Sequence, residues 1–190
     1  MMKKAGLALL LLLAGCLLPL LAGCSCSPEV ASTEFIASER DFADFDTWER
    51  FDRGTRGFLP SHLDGETYVY LNRRPEEGAT AFPVGTIVVR VTSAGPMSDW
   101  EVHAMVKRGG QYNAAGAVGW EYFDLEMVRT AGEEGGALTP TIHWRGEGPG
   151  DDGDGYARGA EGVLLGCNHC HAAVVERDGM LGDQFDLPMP

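Results

Sequence analysis

The sequence predicts a mostly β domain: an antiparallel sheet with flanking helices, one of them C-terminal. Three observations point to it. Five short segments rich in β-branched and aromatic residues (67–71, 86–92, 101–107, 120–125 and 141–145) are bounded by glycine and proline turns. No helical pattern intervenes between them, which favours antiparallel neighbours over βαβ crossovers. Helical spacing is confined to one stretch before the first strand and one after the last.

In chain order, Ser38 and Asp41 resemble a capping box, and Phe42, Phe45 and Trp48 follow at threefold spacing on one face. A core-facing helix from Ser38 is the expectation. Residues 54–65, with Pro60, read as a connection before the five strands. Gly109-Gly110-Gln111-Tyr112-Asn113 has no phosphate-loop context and reads as a turn between strands. Residues 131–162 read as loop. Their acidic run fails the order of an EF-hand: counted from Asp152, position five is Tyr156 and position twelve is Val163, so a solvated loop is expected. Residues 161–176 are expected to form the C-terminal helix, closed by Asp178-Gly179.

The N-terminal end has its own logic. Met1-Met2-Lys3-Lys4 is basic, and an apolar run follows from Ala5 to Ala22, broken only by Pro19. It ends in Leu21-Ala22-Gly23-Cys24, which resembles the lipobox of bacterial lipoproteins, with Cys24 receiving the lipid. Leu13-Ala14-Gly15-Cys16 also fits, but cleavage there leaves an apolar stub; an uncleaved membrane anchor is the competing reading. The organisation expected is a leader over 1–23, a tether over 24–37 and one domain over 38–190, exported and lipid-anchored on the periplasmic side of the envelope. Ser25 after the acylated cysteine favours the outer membrane. The net charge of −13 argues against nucleic acid and anionic headgroups as partners and is compatible with a basic redox partner protein.

The chemistry is concentrated in Cys167-Asn168-His169-Cys170-His171. Two thiols separated by two residues reach both vinyl groups of one porphyrin, and the following histidine is placed to coordinate its iron. This spacing predicts one covalent haem c held by Cys167 and Cys170, with His171 as the metal ligand. A disulfide, a redox dithiol and half of a zinc site are the competing readings. Zinc is disfavoured because four ligands are needed and no second half is recognisable.

Several stretches together resemble the cytochrome P-460 family, which includes the cytochromes c′-beta. They are Tyr68-Val69-Tyr70-Leu71-Asn72, then Phe82-Pro83-Val84-Gly85-Thr86-Ile87-Val88-Val89-Arg90, then Met105-Val106-Lys107-Arg108 and Gly119-Trp120-Glu121-Tyr122-Phe123. The C-terminal C-x-x-C-H followed by Asp183-Gln184-Phe185 completes the set, over roughly residues 65 to 187. The resemblance implies a β domain with one haem c near its C-terminus, ligated by His171, with an iron position open to a small nitrogenous ligand such as nitric oxide or hydroxylamine. In hydroxylamine-oxidising members a lysine on the Gly-Thr strand bonds to the porphyrin. Arg90 stands at that position, and a guanidinium that stays protonated is not a nucleophile. Lys107, the only lysine after the leader, lies on another predicted strand. Arg90 is therefore a pocket candidate, contacting a haem propionate or an iron-bound ligand, rather than a cross-link; a surface arginine is the competing reading. Whether the chain turns over its ligand stays open. The alternatives are a six-coordinate electron-transfer cytochrome, whose sixth ligand would be one of Met97, Met105, Met127, Met180 and Met189 or of His62, His103 and His143, and a haem-free structural lipoprotein.

Overall fold

The computed structural model describes residues 34–54, 65–93, 95–129, 137–147, 157–158 and 164–181. All of them belong to the unit Ser32–Pro190. The leader, Cys24 and the acidic loop from 148 to 156 lie outside the described residues, as do His62 and the Asp183-Gln184-Phe185 stretch.

Six strands form one antiparallel sheet: β1 (Glu49–Gly54), β2 (Glu66–Leu71), β3 (Ile87–Ser93), β4 (Glu101–Lys107), β5 (Trp120–Arg129) and β6 (Leu138–Gly146). Their spatial order is their chain order, a plain meander. The domain is therefore largely β, as the segment pattern predicts, and all five expected strands are present. β4 has the expected bounds, while β5 and β6 extend beyond them. A short ladder, β7 (Ala157–Arg158) with β8 (Leu164–Leu165), precedes the C-terminal motif.

The sheet is covered on both faces, which explains why β3 reads as a β-branched run, interrupted by Arg90, rather than an alternation. Residues Ile87, Val89 and Val91 enter one core with Tyr70, Ala104, Val106, Phe123 and Leu125. Phe42 and Phe45 close this core from outside, at ring distances of 5.1 Å to Phe123 and 5.3 Å to Tyr70. The other face carries Val69, Leu71, Val88, Met105, Trp120 and Tyr122, and it packs against Phe82, Ala117, Met180 and Cys167.

Two helix expectations need correction. The capping box at Ser38 forms, with the Asp41 carboxylate accepting from the Ser38 backbone N–H at 2.8 Å. It opens only a 3-10 turn over Glu39–Asp41, and a second follows over Phe45–Thr47. Threefold spacing is the period of a 3-10 helix, so the same aromatics are buried without a continuous α-helix. Trp48 is extended and leads into β1. The expected helix over 161–176 is likewise absent as one element: Leu164–Leu165 is strand, α1 is limited to Cys167–His171, and a kinked 3-10 stretch covers Ala172–Arg177. Val174, at φ −124° and ψ 41°, interrupts it. Asp178 (φ 51°) and Gly179 (φ 74°) end the segment in left-handed conformations, as the Asp-Gly pair predicts. The last part of the expected tether also belongs to the domain, because Ala37 is buried and the Phe35 N–H donates to the Arg108 carbonyl at 3.0 Å.

Candidate haem-attachment site

The single turn α1 places Cys167, Cys170 and His171 against the second face of the sheet. Cys167 packs into the cluster built on Val69, Leu71, Met105 and Tyr122. Both cysteines are free thiols, so the disulfide reading is not the arrangement found. Burial pushes the Cys167 thiol up to about 12, and the nearby Cys170 and Asp124 push in the same direction. Burial raises Cys170 too.

His171 is oriented from behind. Its Nδ1 lies 2.7 Å from the Gly179 carbonyl, which accepts the Nδ1 hydrogen and leaves Nε2 as the atom with a lone pair. Its ring lies 5.4 Å from that of Tyr122. Buried Tyr122 is held well above the usual phenol range by desolvation, so it stays a neutral donor.

Two residues whose docking role the sequence did not reveal hold this segment. Asn168, between the cysteines, accepts at Oδ1 from Asn113 Nδ2 (2.8 Å), the Ala117 N–H (3.2 Å) and the Tyr122 hydroxyl (3.2 Å). Its Nδ2 donates to Asn113 Oδ1 and to the Glu147 carbonyl, both at 2.7 Å. Asp178 accepts from the Phe82 N–H at 2.8 Å and pairs with Lys107, and its carbonyl accepts from Trp120 Nε1 at 2.6 Å. Lys107 also donates to the Val118 carbonyl at 3.1 Å and lies 5.0 Å over the Trp120 ring. The Lys107 amine is thus committed to docking. The only legible signals were an amide inside the attachment motif and the Asp-Gly ending; their partners are dozens of residues away.

Arg90 is placed on the same sheet face as Cys167. Register pairs it with Val69 on β2 and His103 on β4, and His103 in turn pairs with Asp124 on β5. Arg90 Nη1 donates to Glu101 at 3.2 Å, and its side chain is 22% exposed, so it lies largely within this face. Desolvation lowers its pKa from the ordinary guanidinium value while Glu101 opposes the shift. His103 Nδ1 lies 3.3 Å from Glu101 and its Nε2 3.7 Å from Asp124. Of the described methionines, Met105 and Met180 share the cluster with Cys167, whereas Met127 and Met97 belong to the opposite core. His143 and His169 are exposed.

The donor set has the chemistry a haem c requires: two unbridged thiols on one turn, an imidazole whose outer nitrogen is already bonded, and an apolar sheet face beside them. Among the described residues, no group of three or more His, Cys, Asp or Glu side chains could hold a metal ion. No described helix is long and apolar enough to cross a membrane. No protein-family model, characterised protein or solved structure matches this chain.

Proposed function

We propose that this chain is a c-type monohaem protein of the cytochrome P-460 and cytochrome c′-beta kind, which binds or redox-converts a small nitrogenous ligand such as nitric oxide or hydroxylamine. The observation that carries the reading is the bond from His171 Nδ1 to the Gly179 carbonyl, beside two free thiols on the same turn. That bond fixes the tautomer and aims Nε2 away from the backbone, as a metal-ligating histidine requires. Each thiol would add across one vinyl group, the sulfur bonding to carbon and the thiol hydrogen passing to the neighbouring carbon, so both cysteines must arrive reduced. Haem would supply an iron that binds the ligand and exchanges single electrons. The protein's part is to hold His171, to exclude water with Val69, Val88, Met105 and Tyr122, and to set polarity with Arg90, Glu101 and His103.

Arg90 gives this site a character distinct from a lysine-cross-linked one. A guanidinium stays protonated and is no nucleophile, and the Lys107 amine is paired with Asp178. We further infer export and anchoring through lipid on Cys24, which places maturation in the compartment where haem c is attached. A second reading is kept by Met105 and Met180, which share the cluster with Cys167: a six-coordinate electron carrier with methionine as sixth ligand.

Optical spectra of the purified protein, ferric and ferrous, with and without nitric oxide, separate these readings. An open iron position predicts a ferrous spectrum that changes on nitric oxide addition. A low-spin spectrum indifferent to the gas would favour the electron carrier, and no haem absorbance would overturn the proposal.

A further inference from the structure

The same sheet face carries three buried donors with no acceptor. Among the described residues, Thr67 Oγ1, Thr92 Oγ1 and Arg90 Nη2 have no hydrogen-bond partner, although Thr67 is 5% and Thr92 0% exposed. Thr67 and Thr92 are directly opposite in register on β2 and β3, and Arg90 lies two residues from Thr92, hence on the same face. Burying hydroxyls and a guanidinium edge without partners is costly, and native proteins seldom tolerate three together. The three donors share one demand, an oxygen acceptor, and the guanidinium favours an anionic one.

Position narrows the ligand. Cys167 packs with Tyr122 on β5, whose hydroxyl donates to the adjacent Asn168 at 3.2 Å, and Asp124 lies two residues along the same strand face. Arg90 and Thr92, on β3, are two strand spacings away, about 10 Å across the sheet. In a haem the thioether-forming vinyl groups and the two propionates lie on opposite sides of the ring. A ring fastened near Asp124 and extending across β4 would bring its carboxylates to β3 and β2.

We propose that Arg90, Thr67 and Thr92 form a carboxylate site that receives a haem propionate. This rests on the haem reading and goes beyond it, because it assigns the cofactor's orientation over the sheet. Arg90 divides its fork: Nη1 holds Glu101, and Nη2 is turned to the propionate. The neighbouring charges are Glu101 and His103 on β4 and Asp124 on β5. His103 stands between the two carboxylates and tempers their repulsion of a third.

Resonance Raman spectroscopy of the holoprotein tests the site, because the propionate bending mode follows hydrogen bonding to that group. Arg90→Leu and the double variant Thr67→Val with Thr92→Val are each expected to shift the mode to lower frequency. Arg90→Lys, which keeps the charge and loses the fork, gives a smaller shift and serves if the valine variant does not fold. A mode unchanged in Arg90→Leu and Arg90→Lys overturns this site alone, and leaves buried water as the partner of the three donors. Absence of covalent haem overturns the site and the haem reading together.

Discussion

Asn168 and the two cysteines around it decide whether the attachment segment is presented to the sheet. Asn168 makes five hydrogen bonds, and its loss leaves the buried Asn113 Oδ1 without its donor, while Asn113 Nδ2 keeps the Trp120 carbonyl at 3.2 Å. Asn168→Ala is expected to destabilise the domain by about 2–3 kcal/mol, since each stranded buried group costs about 1–3 kcal/mol. A urea unfolding midpoint close to that of the parent would contradict the hub. The thiols differ in a way that is also measurable. A thiol whose folded pKa is raised stays protonated, so its alkylation is slow until the pH rises through that value. In haem-free protein, peptide mapping after brief iodoacetamide treatment at pH 8 should find Cys170 modified ahead of Cys167, with Cys167 following only as the pH nears its value of about 12. The sign for stability agrees: unfolding releases the Cys167 thiol to ionise at a lower pH, so its contribution is complete below the ordinary thiol pKa and is lost as the pH climbs toward 12. Equal labelling at pH 8 would count against the burial.

The connection from β4 to β5 is the element that receives the motif, and it is built for close approach. A Cβ at Gly116 would meet the Asn168 amide at 2.2 Å. Gly116→Ala should therefore lower the melting temperature in the parent and do much less in an Asn168→Ala background, a coupling that a double-mutant cycle measures. Additive effects would show that the clash is not what costs stability. The buried Lys107–Asp178 pair ties the end of β4 to the left-handed turn after the attachment segment, with side chains 11% and 12% exposed. Lys107→Met leaves that carboxylate buried without its cation and should cost about 3 kcal/mol; a loss under 1 kcal/mol in chemical denaturation would contradict it. Element by element, the sheet was legible because β-branched and aromatic runs between glycine turns have few alternatives. β1 was not, because Glu-Arg-Phe-Asp-Arg-Gly offers one apolar side chain and is strand only through its pairing with β2. The terminal helix was over-read, because apolar residues at 163–165 and 172–175 suit helical spacing, whereas β8 pairs with β7 and Val174 breaks the run.

At the scale of the molecule, the domain is a six-stranded meander with two dissimilar faces. One face is closed by Phe42 and Phe45, whose place in the core was readable from their threefold spacing. The other combines an apolar patch around Met105 and Tyr122 with polar Arg90, Glu101, His103 and Asp124, an arrangement that emerges only when register sets β3, β4 and β5 side by side. That Cys167, Cys170 and His171 share one turn was legible, since it follows from local spacing. The supports of that turn were not, because Asn168 and Asp178 act through partners distant in sequence. A haem filling the second face would join the native state alone, so the holoprotein should melt well above the Cys167→Ala, Cys170→Ala variant. Coincident thermal transitions would show that the face does not depend on a cofactor. The most direct measurement is the mass of the polypeptide made in a host able to attach haem to exported proteins. The account predicts an increment of one haem, localised by peptide mapping to the segment holding Cys167 and Cys170; a chain carrying two unmodified thiols there would contradict it.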